Sequence, residues 1–337
     1  MGKRFDGLVW LGVLALAAAT LAAAFGDGWW PLELFSHFRP HLVAASFVWL
    51  FVALVRHRPL AVTLCAALLA ANAMPIVPYV TTTRPAVATP DGVPLRVMTF
   101  NLHGGRTRPQ ALLHFIGAQR PDIVVLTEMP ERIDWLNQAL AADYPYRIAG
   151  NVAVSHDLFV FSRWPIMGHE RDRGAASWLP VLTADLCAPA GQAGSGQAPA
   201  LDGGAGGVCV RLIAMHAVGP FGRHAAEQRD QFARAARSAR QASERAVVMA
   251  GDFNAAPWSP AFRRLLTDGG LVAAARGHGL AATWQSRLPM VGLVIDHVLT
   301  SPAIVSRGYR VGADLGSDHL PVVADLVLPV APFQREP

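Results

Sequence analysis

Val247-Val248-Met249-Ala250-Gly251-Asp252-Phe253-Asn254 is a short apolar run that passes directly into a carboxylate and an amide. Four apolar residues stopped by a glycine are too few for a helix and fit a strand covered on both faces. The same design recurs in Thr99-Phe100-Asn101-Leu102-His103-Gly104-Gly105, Leu126-Thr127-Glu128, Met215-His216-Ala217 and Gly316-Ser317-Asp318-His319-Leu320-Pro321. Ile295-Asp296-His297 adds a sixth polar pair, inside a strand pattern. Strand ends on one edge of a sheet converge in space, so these segments predict one shared site of carboxylates, amides and imidazoles. No serine or cysteine stands in an obvious nucleophilic setting. The inventory suits metal-assisted phosphoryl hydrolysis: oxygen ligands for a hard cation, a base for water, and neutral donors for phosphate oxygens.

Around these segments, residues 95–102, 123–127, 158–161, 179–186, 208–215, 247–250, 294–299 and 321–327 read as strands. Residues 110–119, 131–142 and 225–243 have helical spacing. Strands outnumber helices and often follow one another directly, which favours a sheet-on-sheet core with helices outside over a doubly wound parallel sheet. Ser162-Arg163-Trp164-Pro165-Ile166 reads as a structural strand end beside the site. His297 should point away from Asp296, to the opposite face of its strand.

The six segments, in this order, resemble the endonuclease/exonuclease/phosphatase superfamily over residues ~95–328. The resemblance implies an α/β fold, a four-layer α/β/β/α sandwich (DNase I-like), with the site at one end of the two sheets and Mg²⁺ or Mn²⁺ as cofactor. By motif, Glu128 resembles the principal metal ligand, Asp318 an auxiliary one, and Asn101 the amide that orients the carboxylate or joins the metal shell. Asp252 resembles the residue that activates water, and Asn254 the donor to a phosphate oxygen. His319 with Asp296 resembles the family's histidine–carboxylate pair, the histidine acting as base or phosphate clamp. His216 resembles a second phosphate-facing histidine or general acid. One departure stands out: apurinic endonucleases carry an aspartate two residues after the asparagine, and here that position is His103, a poorer ligand for Mg²⁺. His103 is left as a phosphate contact, a ligand for another metal, or a rim residue.

The chain has 337 residues, of which 52% are hydrophobic and 16% charged. About 25% charged is usual for a soluble domain, so the deficit excludes a disordered chain and disfavours an ordinary cytosolic enzyme. The excess hydrophobicity sits at the N-terminus, in runs at about 8–25, 41–57 and 60–80. These predict a membrane anchor over residues 1–80 with three transmembrane helices, a linker at 81–94, and a catalytic domain at 95–330. Lys3, Arg4, Arg56 and Arg58 mark the cytoplasmic side, which puts the catalytic domain outside the cytoplasm. A cleaved signal peptide in place of the first helix leaves that orientation unchanged.

Lys3 is the sole lysine, and the net charge is only +5. The arginines of residues 225–245, among them Arg229, Arg234, Arg237 and Arg240, read as a solvated helix face more than as a nucleic-acid groove. Residues 188–207 are a low-complexity insertion flanked by Cys187 and Cys209, which meet if the flanking strands form a hairpin. The expected partners are the lipid bilayer and a phosphate-containing substrate, lipid phosphate ahead of nucleic acid, with no obligate protein partner. The expected function is a multi-pass, membrane-anchored phosphoesterase on the outer face of the cytoplasmic membrane. The alternative is a membrane-tethered extracellular or periplasmic nuclease. Resemblance to three-span proteins linked to teicoplanin resistance points to polyprenyl (di)phosphate or phospholipid head groups.

Overall fold

The computed structural model describes residues 2–26, 28–81, 92–130, 133–150, 158–174, 179–188, 208–242 and 245–329. Most of the expected linker and of the 188–207 insertion lies outside the described residues. Strand β1 (Gly92–Asn101) is followed by β2 (Ile123–Thr127), β3 (Tyr146–Ile148), β4 (Phe159–Ser162), β5 (Ile166–Asp172), β6 (Val181–Cys187), β7 (Cys209–His216), β8 (Ala246–Asp252), β9 (Val272–Ala273), β10 (Asp296–Thr300), β11 (Val305–Val311) and β12 (Val322–Pro329). They form two six-stranded sheets, in the orders β11-β12-β1-β2-β4-β3 and β5-β6-β7-β8-β10-β9.

Alternation along each central strand decides the layers. In β2, Ile123 and Val125 face the space between the sheets, while Val124 and Leu126 face outward. Helices α6 (Pro109–Gln119) and α7 (Asp134–Leu140) cover that outer face through Leu112, Ile116, Leu136 and Leu140. In β8, Val248 and Ala250 point into the inter-sheet core and Val247 and Met249 point outward. There α8 (His224–Gln241) and α9 (Pro260–Gly269) pack through Phe232, Ala235, Phe262 and Leu265. The result is the expected α/β/β/α arrangement. Trp164, from the Ser-Arg-Trp-Pro stretch, fills the space between the sheets.

Each sheet is mostly antiparallel but holds one parallel pair, β1–β2 and β7–β8, joined through α6 and α8. Parallel neighbours end on the same edge, so Asn101 pairs with Thr127, next to Glu128, and His216 with Asp252. Antiparallel β10 puts Asp296 opposite Asp252. Gly251 is required by this packing: its φ is +152° and a Cβ there would lie 1.8 Å from the Met215 carbonyl oxygen.

The expected solvated face of α8 is only partly so. Arg234 is buried between Asp230 and Asp172, and Arg240 donates to the Asp268 and Thr267 carbonyls at the end of α9. Cys187 and Cys209 are cross-strand partners and form a disulfide.

The N-terminal helices depart from three full spans. Helix α1 (Gly2–Phe25) contains the one segment among the described residues, Gly7–Phe25, that is long and apolar enough to cross a membrane by itself. Helix α2 (Trp30–His37) and α3 (Arg39–Val55) meet that standard only together, and they are bent by 70° at Phe38. Helix α4 (Pro59–Ala73) has 15 residues, or about 22 Å, against a hydrocarbon core of about 30 Å. The reason is proline: Pro40 restarts the chain at α3, and Pro75 stops α4 before the four-residue α5 (Val77–Val80).

Val9 and Val13 of α1 pack with Ala53 of α3 and with Ala61 and Cys65 of α4. At the other end Arg39 donates to the carbonyls of Ala23 and Ala71, and Asn72 donates to Thr20. The three helices therefore run up, down and up. Both the N-terminus and the Arg56–Arg58 turn lie at the end far from Arg39.

Candidate active site

Three site residues take a left-handed backbone that non-glycine residues rarely adopt: His103 at φ 50°, Glu128 at 52° and Asn254 at 47°. Each follows a strand end, and such strain concentrates where a side chain must be aimed. Here the turns out of the strands bring Glu128 to Asn101, His103 to Asp318 and Asn254 to Ala217.

Asn101 holds the centre. Its Nδ2 donates to Glu128 Oε1 and to Asp252 Oδ2, both at 2.9 Å, and its Oδ1 accepts from the His103 backbone N–H at 2.9 Å. Two carboxylates thus converge on one amide nitrogen, one from each sheet. His216 Nε2 stands 3.5 Å from Glu128 Oε1 and 3.8 Å from Asp252 Oδ2. Ligand atoms of Glu128, His216 and Asp252 all lie within 4.8 Å of one another, the spacing of a set that can hold a metal ion. Like charges this close repel, and a cation between them offsets that cost.

His319 forms the second half of the site. Its Nδ1 is 2.9 Å from Asp296 Oδ2, and its Nε2 is 3.8 Å from Asp252 Oδ2. Burial by itself lowers the His319 imidazole. The neighbouring Asp296 and Asp252 carboxylates override it and push the group up to about 10, so the ring is cationic at neutral pH. Burial raises the Asp296 carboxyl to about 6 against the pull of His319. Thr283 Oγ1 accepts from the Asp296 and Ile295 backbone N–H groups at 3.0 and 3.1 Å and fixes the start of β10. His297 turns to the other face as expected, bonds Ala255 O at 2.9 Å and packs against Phe262; burial lowers it to about 4.

Asp252 Oδ1 accepts from the Asn254 backbone N–H at 2.8 Å, and Asn254 Nδ2 donates to Ala217 O at 2.8 Å. That amide nitrogen retains a second N–H. Asp318 turns toward His103, whose Nδ1 it pairs with, and accepts from Trp284 Nε1 at 3.2 Å. Its carboxylate is thereby engaged, and among the described residues the metal-spaced sets are Glu128, His216 and Asp252, and Asp252, Asp296 and His319. His216, expected as a phosphate-facing histidine or general acid, stands beside the carboxylates.

Three contributors carried no assigned role in the sequence. Ser317 Oγ donates to Asn101 O at 2.8 Å and accepts from the His319 N–H at 3.0 Å, tying the first and last segments together. Ser317 lies inside a recognised segment, so an Asx/ST-type turn was legible there. Thr283 and Trp284 sit in a stretch with no motif, and only folding brings them to the site.

The profile of the Endonuclease/Exonuclease/phosphatase family matches residues 98–319. A search of curated proteins gives no match. Among solved structures, an endonuclease/exonuclease/phosphatase from Beutenbergia cavernae is similar at 24% identity and TM-score 0.56, covering 70% of this chain and 72% of its own. One from Bacteroides vulgatus is 19% identical with TM-score 0.54, covering 70% and 99%. TDP2 from C. elegans is 16% identical with TM-score 0.54, covering 69% and 75%.

Proposed function

This chain belongs to the endonuclease/exonuclease/phosphatase family, and we propose that it is a divalent-metal-dependent hydrolase of phosphoric ester bonds, held at a membrane by its N-terminal helices. The family's members are hydrolases acting on phosphate esters and are typically metal dependent. The observation that carries the reading is the convergence of Glu128 and Asp252 on the single amide nitrogen of Asn101.

The donor set fits Mg²⁺ or Mn²⁺: two hard carboxylates offer the oxygen ligands such ions take. Glu128 would be the principal ligand, with Asp252 within reach of the same ion and His216 beside both but outside its shell. Bound there, the ion supplies Lewis-acid polarisation of a phosphoryl oxygen. Asp252, fixed by Asn101 and by the Asn254 N–H, takes the proton of the attacking water. The water oxygen bonds to phosphorus as the bond to the leaving oxygen breaks. His216 returns a proton to that leaving oxygen. His319, cationic and braced by Asp296, clamps a phosphate oxygen. The free N–H of Asn254 donates to the oxygen on which charge develops. Asn101 and Asp318 act as braces, for the two carboxylates and for His103.

Metal removal tests this. The EDTA-treated full chain should lose hydrolysis of bis(p-nitrophenyl) phosphate, and Mn²⁺ or Mg²⁺ should restore it. Full activity in EDTA, or none with any divalent ion, would sink the reading.

Exposed apolar side chains support the tether. Leu8, Leu11, Leu14 and Leu21 of α1 and Phe47, Phe51 and Leu54 of α3 are all more than half exposed, a surface unsuited to water. With Lys3 and Arg4 at the start of α1 on the cytoplasmic side, the crossing of α1 by itself leaves the catalytic domain outside. A disulfide persists in such an oxidising compartment. A nuclease would need a basic groove, whereas Arg229, Arg234 and Arg240 are each tied to this chain's own acidic or carbonyl oxygens. Protease added to intact cells should degrade the catalytic domain; protection until the cells are lysed would reverse the orientation.

A further inference from the structure

The way α2 joins the two halves of the molecule has a bearing on substrate. Arg39, at the start of α3, bonds the terminal carbonyls of α1 and α4, so three helix ends share one level. Helix α2 leaves that level at a sharp angle to α3. Its polar residues turn to the catalytic domain. Glu33 is buried, accepts from Ala261 N at 3.3 Å and lies 3.7 Å from Arg229. It thus sits at the positive N-terminus of α9. Trp29, Phe35 and Phe38, in and beside α2, remain exposed.

Two loops of the catalytic domain reach the same level. One, residues 217–223, leaves His216 and carries Phe221, whose ring meets Trp30 edge-on at 6.4 Å. The other, residues 285–291, runs on from Trp284, which binds Asp318. There the Met290 carbonyl oxygen hydrogen-bonds His41 Nε2 at 3.0 Å. Both loops end in apolar side chains set in solvent: Phe221 is 57% exposed, Leu288 58% and Met290 91%. An exposed arginine neighbours each tip, Arg223 and Arg287. Apolar tips beside cations, level with helix ends and continuous with an apolar helix surface, match the chemistry of the headgroup layer of an anionic bilayer. These loops also border the site.

Building on the phosphoesterase reading above, we propose that the loops at 217–223 and 285–291 seat in the headgroup layer. The catalytic mouth then opens onto the bilayer, and its substrates are phosphoesters of amphiphiles held in that bilayer. The partner is the lipid surface itself. Tethering keeps the site at high effective concentration over lipid phosphates, while a polymer in solution must reach a mouth facing the membrane.

The test uses the full chain reconstituted in phosphatidylcholine/phosphatidylglycerol vesicles. A nitrobenzoxadiazole probe on Met290→Cys, in a Cys65→Ala background, is exposed to spin-labelled lipid. In the same vesicles, hydrolysis of phosphatidylglycerol, phosphatidic acid and a long-chain prenyl diphosphate is compared with that of DNA and of bis(p-nitrophenyl) phosphate in water. Quenching of the probe is expected, with at least one vesicle-borne substrate preferred over DNA by about tenfold or more in kcat/KM. Phe221→Glu with Met290→Glu should cut the vesicle-borne rate about tenfold and leave the soluble diester within about twofold. An unquenched probe, a preference for DNA, or equal loss on lipid and soluble substrates would overturn the proposal. Loss of every hydrolysis, the soluble diester included, would instead strike the phosphoesterase reading, and the quenching result would still report on the loops.

Discussion

Glu128→Ala should lower metal-dependent phosphodiester hydrolysis by about 10³-fold or more while leaving the fold intact. A bound ion supplies several kcal/mol of transition-state stabilisation, and each 1.4 kcal/mol is a factor of about ten. The variant removes one of two carboxylates that converge on Asn101 Nδ2, so it relieves repulsion in the metal-free protein. The Glu128 side chain is 21% exposed and does not fill the core, which keeps the stability change within about 1 kcal/mol. Mn²⁺ titration by calorimetry should show weakened or absent binding, and the melting temperature in EDTA should be unchanged or slightly higher. Retention of metal-dependent activity would remove Glu128 from its role, and with it the site assignment.

His319→Gln should lower kcat by about 10²–10³-fold, the range for loss of one preorganised donor to a developing negative charge. It should also destabilise the protein, because Asp296 is fully buried and loses its cationic partner. The stability effect carries a pH signature. The His319 group sits at about 10 when folded and at 6.5 in the reference state. Its contribution is therefore fully present below about pH 6.5 and is lost as pH rises through about 10. Asp296, raised to about 6, contributes with the same sign at lower pH and has finished titrating above about pH 7. Thermal melts of metal-free protein should thus show the gap between wild type and variant narrowing from pH 7 to pH 10. A gap that stays constant over that window would mean that His319 is neutral in the native state, and the clamp would have to be abandoned. Asp296→Asn should mimic the kinetic loss more weakly, since the imidazole remains but its charge and tautomer are no longer held.

Much of the catalytic fold was open to reading because burial follows simple periods. The all-apolar run at β2 and the run at β8 each present alternate residues to two cores, which requires a layer on both sides. Short elements were harder. Strands β3, β5 and β11 and helix α9 carry weak or mixed patterns: β5 is largely exposed, and β11 is half-buried at a sheet edge. The N-terminal runs were legible as apolar but not as spans. Apolar composition is additive along the chain, whereas Pro40 and Pro75 act on local backbone geometry and divide the runs into shorter helices.

The sequence by itself determined which residues could meet: six strand ends bearing carboxylates, amides and imidazoles, and the order in which they occur. It also determined that the N-terminus is too apolar for water. Tertiary structure alone decided how those groups pair. Asp318 belongs with His103 and Trp284, His216 stands against Glu128 and Asp252, and Glu33 reaches from α2 to the start of α9. The physical reason is range. Periodicity and turn chemistry act over a few residues and are written locally. Ion pairs and hydrogen bonds act over about 3 Å between segments as much as 249 positions apart, and only tertiary packing fixes which ones touch.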